Sequence, residues 1–174
     1  MPNQILNMKH NLPFNHSYKV TDTFYAGEYP FEMRAKDGIP KLHNLIDFGI
    51  TTIIDLTSEP LTPYAEHLPE TCVRLHFPTM DYTSPDFSAL QEIHSKIDEA
   101  EKLGEKIYVH CKGGHDRTGV VVATYFVHAG FSPSEAKQKL YEVFVSPVRG
   151  RYPHRPLIET EWELLEHYQD WLHR

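Results

Sequence analysis

Cysteine is scarce in this chain: Cys72 and Cys111 are the only two among 174 residues. Two thiols cannot build a disulfide scaffold or a four-cysteine zinc site, so a reducing, cytoplasmic setting is expected. Long apolar runs are also missing. No stretch approaches the ~18 consecutive apolar residues of a spanning helix, so membrane insertion is not expected. The first 20 residues lack an apolar h-region, which argues against a cleaved secretory signal. Basic residues are outnumbered, with 17 Lys+Arg against 24 Asp+Glu and a net charge of −7. That balance disfavours a nucleic-acid partner. The 12 histidines include no H-E-x-x-H spacing, so neither a metal site nor a cofactor is expected. With no repeat, low-complexity tract or Gly/Ser linker, residues 1–174 read as one domain and a monomer. Residues 1–17 read as a loose N-terminal arm.

What is present has a globular balance, 40% hydrophobic and 24% charged. Tyr18 to Ala26 reads as a strand ending at Gly27. Ile39, Leu42, Leu45 and Ile46 followed by Gly49 predict a short amphipathic helix with a glycine stop. Ile50 to Leu56 is an almost unbroken β-branched run, the mark of a strand covered on both faces. Cys72 to Phe77 suggests another strand. Ser84-Pro85-Asp86 reads as a helix start, and Phe87, Leu90, Ile93, Ile97, Ala100 and Leu103 then recur at helical spacing before Gly104. Ile107 to His110 is a short apolar strand, and Thr118 to Ala129 a buried helix. Ser132-Pro133-Ser134-Glu135 has capping-box spacing, and a last helix is predicted over 157–171. Strands alternating with helices predict an α/β fold, a central and mostly parallel sheet with helices on both faces.

The segment that carries chemistry runs from Ile107 to Gly119: a strand, a tight turn, then a helix start. Ligands of open α/β sheets sit at the carboxyl ends of strands, and the free N–H groups of a helix N-terminus attract anions. Gly113 and Gly114 allow the backbone to curl into a nest for a tetrahedral oxyanion. Arg117, six residues after Cys111, can meet two phosphate oxygens with its planar fork. At the base of such a nest the Cys111 sulfur is favoured as thiolate, a good nucleophile toward phosphorus, and Thr118 is placed to donate a further hydrogen bond to it.

The stretch His110-Cys111-x5-Arg117-Thr118-Gly119 resembles the signature of the cysteine-dependent tyrosine and dual-specificity phosphatases. Tyr25-Ala26-Gly27-Glu28-Tyr29-Pro30 is similar to an entry motif of their small atypical members. The resemblance spans about residues 20 to 172. It implies attack by Cys111, a phosphocysteine intermediate, hydrolysis by water, and an aspartate that serves first as acid and then as base. Asp81, within Phe77–Pro85, matches that acid by spacing. Asp116 stands inside the loop, where some lipid and tyrosine phosphatases also carry an aspartate, so two acids are left open. Asp86 suits a helix N-terminus instead. Lys112 and His115 add positive character to the rim, and with Gly113, Gly114, Asp116 and Arg117 they are the expected phosphate-binding set. His110 is read as structural support, and Asp55 as a residue that orders a neighbouring loop. Arg149 and Arg151 are candidates for a second anion contact. The expected substrates are phosphotyrosine and phosphoserine/threonine proteins, with phosphoinositides or inositol phosphates as the alternative.

Overall fold

The computed structural model describes residues 11–144 and 162–174. Five strands form one sheet in the order β1-β2-β5-β3-β4. They are β1 (Ser17–Lys19), β2 (Phe24–Gly27), β3 (Ile50–Thr57), β4 (Val73–Thr79) and β5 (Lys106–His110). β1 is antiparallel to β2, and every other pairing is parallel. The helices are α1 (Ala35–Asp47), α2 (Phe87–Leu103), α3 (Asp116–His128), α4 (Pro133–Phe144) and α5 (Trp162–Leu172).

Strand alternation sorts side chains onto two faces. Tyr25, Ile53 and Tyr108 point to one side, where Leu42 and Leu45 of α1 cover them. Phe24, Ala26, Ile54, Leu56, Ile107 and Val109 point to the other, under residues of α2, α3, α4 and α5. The expected α/β architecture is therefore present, with α1 on the first face and α2, α3, α4 and α5 on the second.

Several boundaries differ from the sequence reading, each for a physical reason. Tyr18–Ala26 is not one strand. The chain reverses between β1 and β2, where the N–H groups of Val20 and Thr21 both reach the Phe24 carbonyl. The Thr21-Asp22-Thr23 turn chemistry marks that reversal. α1 starts at Ala35, earlier than predicted, and carries Pro40 in its interior. Gly38 is required there, since a Cβ would stand 2.7 Å from the Phe31 ring. The expected looseness of residues 1–17 is corrected from residue 12 onward. Leu12 and Phe14 pack on the first core, and the Phe14 ring meets Tyr108 edge-on at 5.7 Å. Residues 1–10, the predicted helix start at 157, and Arg149 and Arg151 lie outside the described residues.

Other signals agree closely. Asp86 caps α2 by accepting the Ala89 N–H at 2.8 Å, and Gly104 ends that helix at φ 69°. Ser132 and Glu135 exchange the reciprocal bonds of a capping box ahead of α4. β4 is an edge strand, which explains how Pro78 is tolerated within it.

Candidate active site

Four parallel strands end on the same side of the sheet. Gly27 pairs with His110, Asp55 with His110, and Thr57 with Thr79. The chain segments that follow these ends converge, as expected for the ligand side of an open α/β sheet.

The turn after β5 holds Cys111, 3% exposed, at its base. Its Sγ accepts the Gly114 N–H at 3.2 Å. Gly114 takes φ +71°. A Cβ at this position would lie 2.2 Å from the Gly27 carbonyl carbon, so the loop rests directly on the end of β2. Gly27 is equally confined, since its own Cβ would fall 2.4 Å from the His16 carbonyl oxygen. Tyr29 N–H donates to the Lys112 carbonyl at 3.0 Å, tying the loop to the segment after β2.

Arg117 sits in the first turn of α3, 2% exposed. Nη1 donates to Glu59 Oε2 at 2.8 Å and to the Thr79 carbonyl at 3.0 Å. Nη2 donates to Glu59 Oε1 at 2.8 Å and lies 3.3 Å from Asp81 Oδ1. Glu59 thus fills the terminal Nη1/Nη2 fork. The planar edge formed by Nε and Nη2, the latter near Asp81, is the other pair of nitrogens with which the guanidinium could meet two oxygens side by side. The Arg117 bonds hold the Glu59 carboxyl down at about 2.

His110 is fully buried. Its Nδ1 faces the Cys111 carbonyl at 3.0 Å and its Nε2 faces the Tyr64 hydroxyl at 2.7 Å. A carbonyl only accepts, so Nδ1 carries the proton and Tyr64 donates to Nε2. Burial pushes this imidazole down to about 4, which favours its neutral form.

The remaining sequence candidates fall as follows. Asp81 is half-exposed in the turn after β4, between exposed Met80 and Tyr82. Asp116 is the first residue of α3, where negative charge suits the helix dipole. Thr118 does not reach the sulfur as expected. Its hydroxyl is buried without a hydrogen-bond partner. Lys112 and Gly113 are exposed at the rim. The His115 ring packs edge-on against Phe144 at 5.2 Å instead of standing in solvent. Asp86 is occupied as a cap. Among the described residues no group of His, Cys, Asp and Glu is arranged to hold a metal ion, and no helix is long and apolar enough to cross a membrane. Glu59 and Tyr64 escaped the sequence reading, because neither stands at a fixed spacing from Cys111. The one available signal was an acidic residue just past the end of β3.

The family model described as "Swiss Army Knife protein, DSP-PTPase phosphatase domain" matches residues 31–151. The chain belongs to this family. Curated relatives of the DSP-PTPase domain include phosphatidylglycerophosphate phosphatase PTPMT1 of Arabidopsis thaliana, 27% identical over 152 residues. That match covers 86% of this chain but only 41% of the plant protein. Dual specificity protein phosphatase H1 of Variola virus is 23% identical over 156 residues, 86% of this chain and 81% of the viral one. Among solved structures, PTPMT1 superposes with a TM-score of 0.72 at 20% identity, covering 90% of this chain and 96% of that one. Tk-PTP in its active form gives 0.69 at 22% identity, covering 89% and 97%. These two likenesses concern the fold.

Proposed function

We propose that the protein is a metal-independent phosphomonoester hydrolase that removes phosphate from phosphotyrosine, and from phosphoserine and phosphothreonine, through a phosphocysteine. The observation that carries this reading is the convergence on Arg117. One buried guanidinium, at the end of the loop that begins with Cys111, meets Glu59 at 2.8 Å and lies 3.3 Å from Asp81.

In the first step the Cys111 thiolate attacks phosphorus while the bond to the leaving oxygen breaks. Protonated Asp81 gives its proton to that oxygen. The Gly114 N–H and the free edge of Arg117 take up the charge of the transferring group. In the second step Asp81, now a carboxylate, removes a proton from water, which attacks phosphorus and releases Cys111 and inorganic phosphate. Asp81 is assigned this role over Asp116 because its carboxylate already reaches the guanidinium that must hold the phosphoryl group. No cofactor enters either step. A cytoplasmic location, where the thiol stays reduced, is part of this proposal.

A second reading, dephosphorylation of phosphoinositides or related phospholipids, is supported by the plant relative named a phosphatidylglycerophosphate phosphatase and by the exposed Lys112 at the rim. Phosphate release in EDTA from a panel of phosphopeptides and phosphoinositides, with Cys111→Ser as control, tests both. Peptide turnover that vanishes in Cys111→Ser is the expected result. A hundredfold preference for lipid overturns the first reading in favour of the second, and turnover that needs added metal overturns both.

A further inference from the structure

Cys111 and Arg117 stand on one loop, yet the contacts that hold each lead back to one ion pair, buried Asp55 and part-exposed Arg74. Asp55, near the carboxyl end of β3, is 1% exposed. Its Oδ2 accepts Arg74 Nε at 2.9 Å, and Arg74 Nη2 lies 2.8 Å from the same oxygen. Its Oδ1 accepts both the Thr57 N–H, at 2.8 Å, and the Thr57 hydroxyl, at 2.6 Å. Burial works against the charge on Asp55. The Thr57 bonds and the Arg74 guanidinium work against that penalty, and the carboxyl stays below its ordinary range.

From this pair two arms depart. In the first, the Arg74 guanidinium lies over the Tyr64 ring, 5.8 Å from its centroid. Tyr64 donates to His110 Nε2 and anchors the ring, and His110 Nδ1 donates to the Cys111 carbonyl. In the second, the double bond from Asp55 to Thr57 sets the backbone where the chain leaves β3. Two residues later that backbone presents Glu59 to Arg117. Ser58 helps by donating its hydroxyl to the Thr79 carbonyl, the same oxygen that Arg117 Nη1 reaches. Asp55, Thr57, Glu59, Tyr64 and Arg74 help wall a small cleft of about 200 Å³ between the arms.

We propose that the Asp55–Arg74 ion pair is the shared positioning element of the site, setting the nucleophile loop through Tyr64 and His110 and the phosphate-binding arginine through Thr57 and Glu59. Neither residue touches substrate. The role rests on the phosphatase reading above and adds residues that the Cys111–Arg117 signature does not contain.

The test is a set of double-mutant cycles on kcat/KM, with Asp55→Asn, Tyr64→Phe and Glu59→Gln. A shared element requires Asp55→Asn to be non-additive with each of the other two, while Tyr64→Phe and Glu59→Gln combine additively to within about twofold. Asp55→Asn alone is expected to lower kcat/KM on the order of a hundredfold. Removing both charges, in Asp55→Asn with Arg74→Met, should restore the melting temperature, since no lone buried charge is left. It should leave kcat/KM low. Recovery of activity together with stability overturns the proposal, as does additivity in either Asp55 cycle. If Asp55→Asn does not fold, Arg74→Lys replaces it in the same cycles, because a point charge cannot hold the carboxylate through two nitrogens. Each cycle is also read on two signals that need no turnover, the rate of Cys111 alkylation by iodoacetamide and the binding of inorganic phosphate. A wild-type protein that neither turns over nor binds phosphate would refute the phosphatase reading itself. One that does both, with additive cycles, would refute only the shared role.

Discussion

Glu59 closes both terminal nitrogens of Arg117, each at 2.8 Å. The fork is thereby locked in one orientation before any substrate arrives, which spares the site the ordering of a long side chain during the reaction. Glu59→Gln keeps the shape and removes the charge. We expect kcat/KM to fall about 10- to 100-fold, from the loss of a charge-assisted bidentate pair, as measured by steady-state hydrolysis of p-nitrophenyl phosphate.

The same contact predicts a pH dependence of stability. The Glu59 carboxyl is held at about 2 against an ordinary 4.5. A depressed carboxyl stabilises the fold fully above its unfolded value and loses that contribution as pH falls toward its folded value. The difference in melting temperature between wild type and Glu59→Gln should therefore be constant above about pH 5 and shrink between roughly 4.5 and 2. A difference that grows on acidification contradicts the assignment.

His94 makes a contribution of the same sign over a higher pH window, far from the site. It is fully buried, its Nδ1 taking the Tyr168 hydroxyl at 2.9 Å and its Nε2 facing the Val121 carbonyl at 3.2 Å. Burial, and then His128 beside it, push the imidazole down to about 3 from 6.5. The fold binds only the neutral form, so this stability is complete above about pH 6.5 and drains as pH falls toward 3. His110, at about 4, adds to the loss over most of that window. Wild type should lose melting temperature between about pH 6.5 and 4, and His94→Gln, though less stable overall, should show a shallower slope there.

Asp81 and Asp86 separate function from capping. Asp81→Asn should lower kcat strongly and make it sensitive to the leaving group of aryl phosphates, because proton donation is lost. Asp86→Ala should cost about 1 kcal/mol through the lost cap of α2 and leave the leaving-group dependence unchanged. Asp116→Asn belongs in the same series. If it, and not Asp81→Asn, carries the leaving-group sensitivity, the acid is Asp116.

Gly114→Ala tests the seating of the loop. The new methyl would stand 2.2 Å from the Gly27 carbonyl carbon, on a backbone at φ +71°. The loop must shift, so Cys111 alkylation and phosphate binding should both fall by more than about tenfold, a consequence of misplacing reacting groups by an ångström. A circular dichroism spectrum like that of wild type would place the damage in the loop.

Local patterns with one outcome were legible in the sequence. Periodicity marked α2, β3 and β5, and cap chemistry marked the ends of α2 and the start of α4. Cys111, Gly114 and Arg117 declared themselves because a phosphate nest needs those residue types at fixed spacing. What escaped notice depends on distance along the chain. Glu59 meets Arg117 across 58 residues and Tyr64 meets His110 across 46. Only the parallel sheet, which brings the ends of β3 and β5 side by side, creates those contacts. Thr118 shows the converse, a hydroxyl in the expected place whose rotamer does not reach the sulfur.

The abutment of Gly114 on Gly27 joins two points 87 residues apart, and it exists only when β2 lies beside β5. A chain with that edge of the sheet peeled away keeps the cysteine but loses the surface on which its loop is seated. Under the mechanism proposed above, completion of the sheet would act as a safety catch for the thiol.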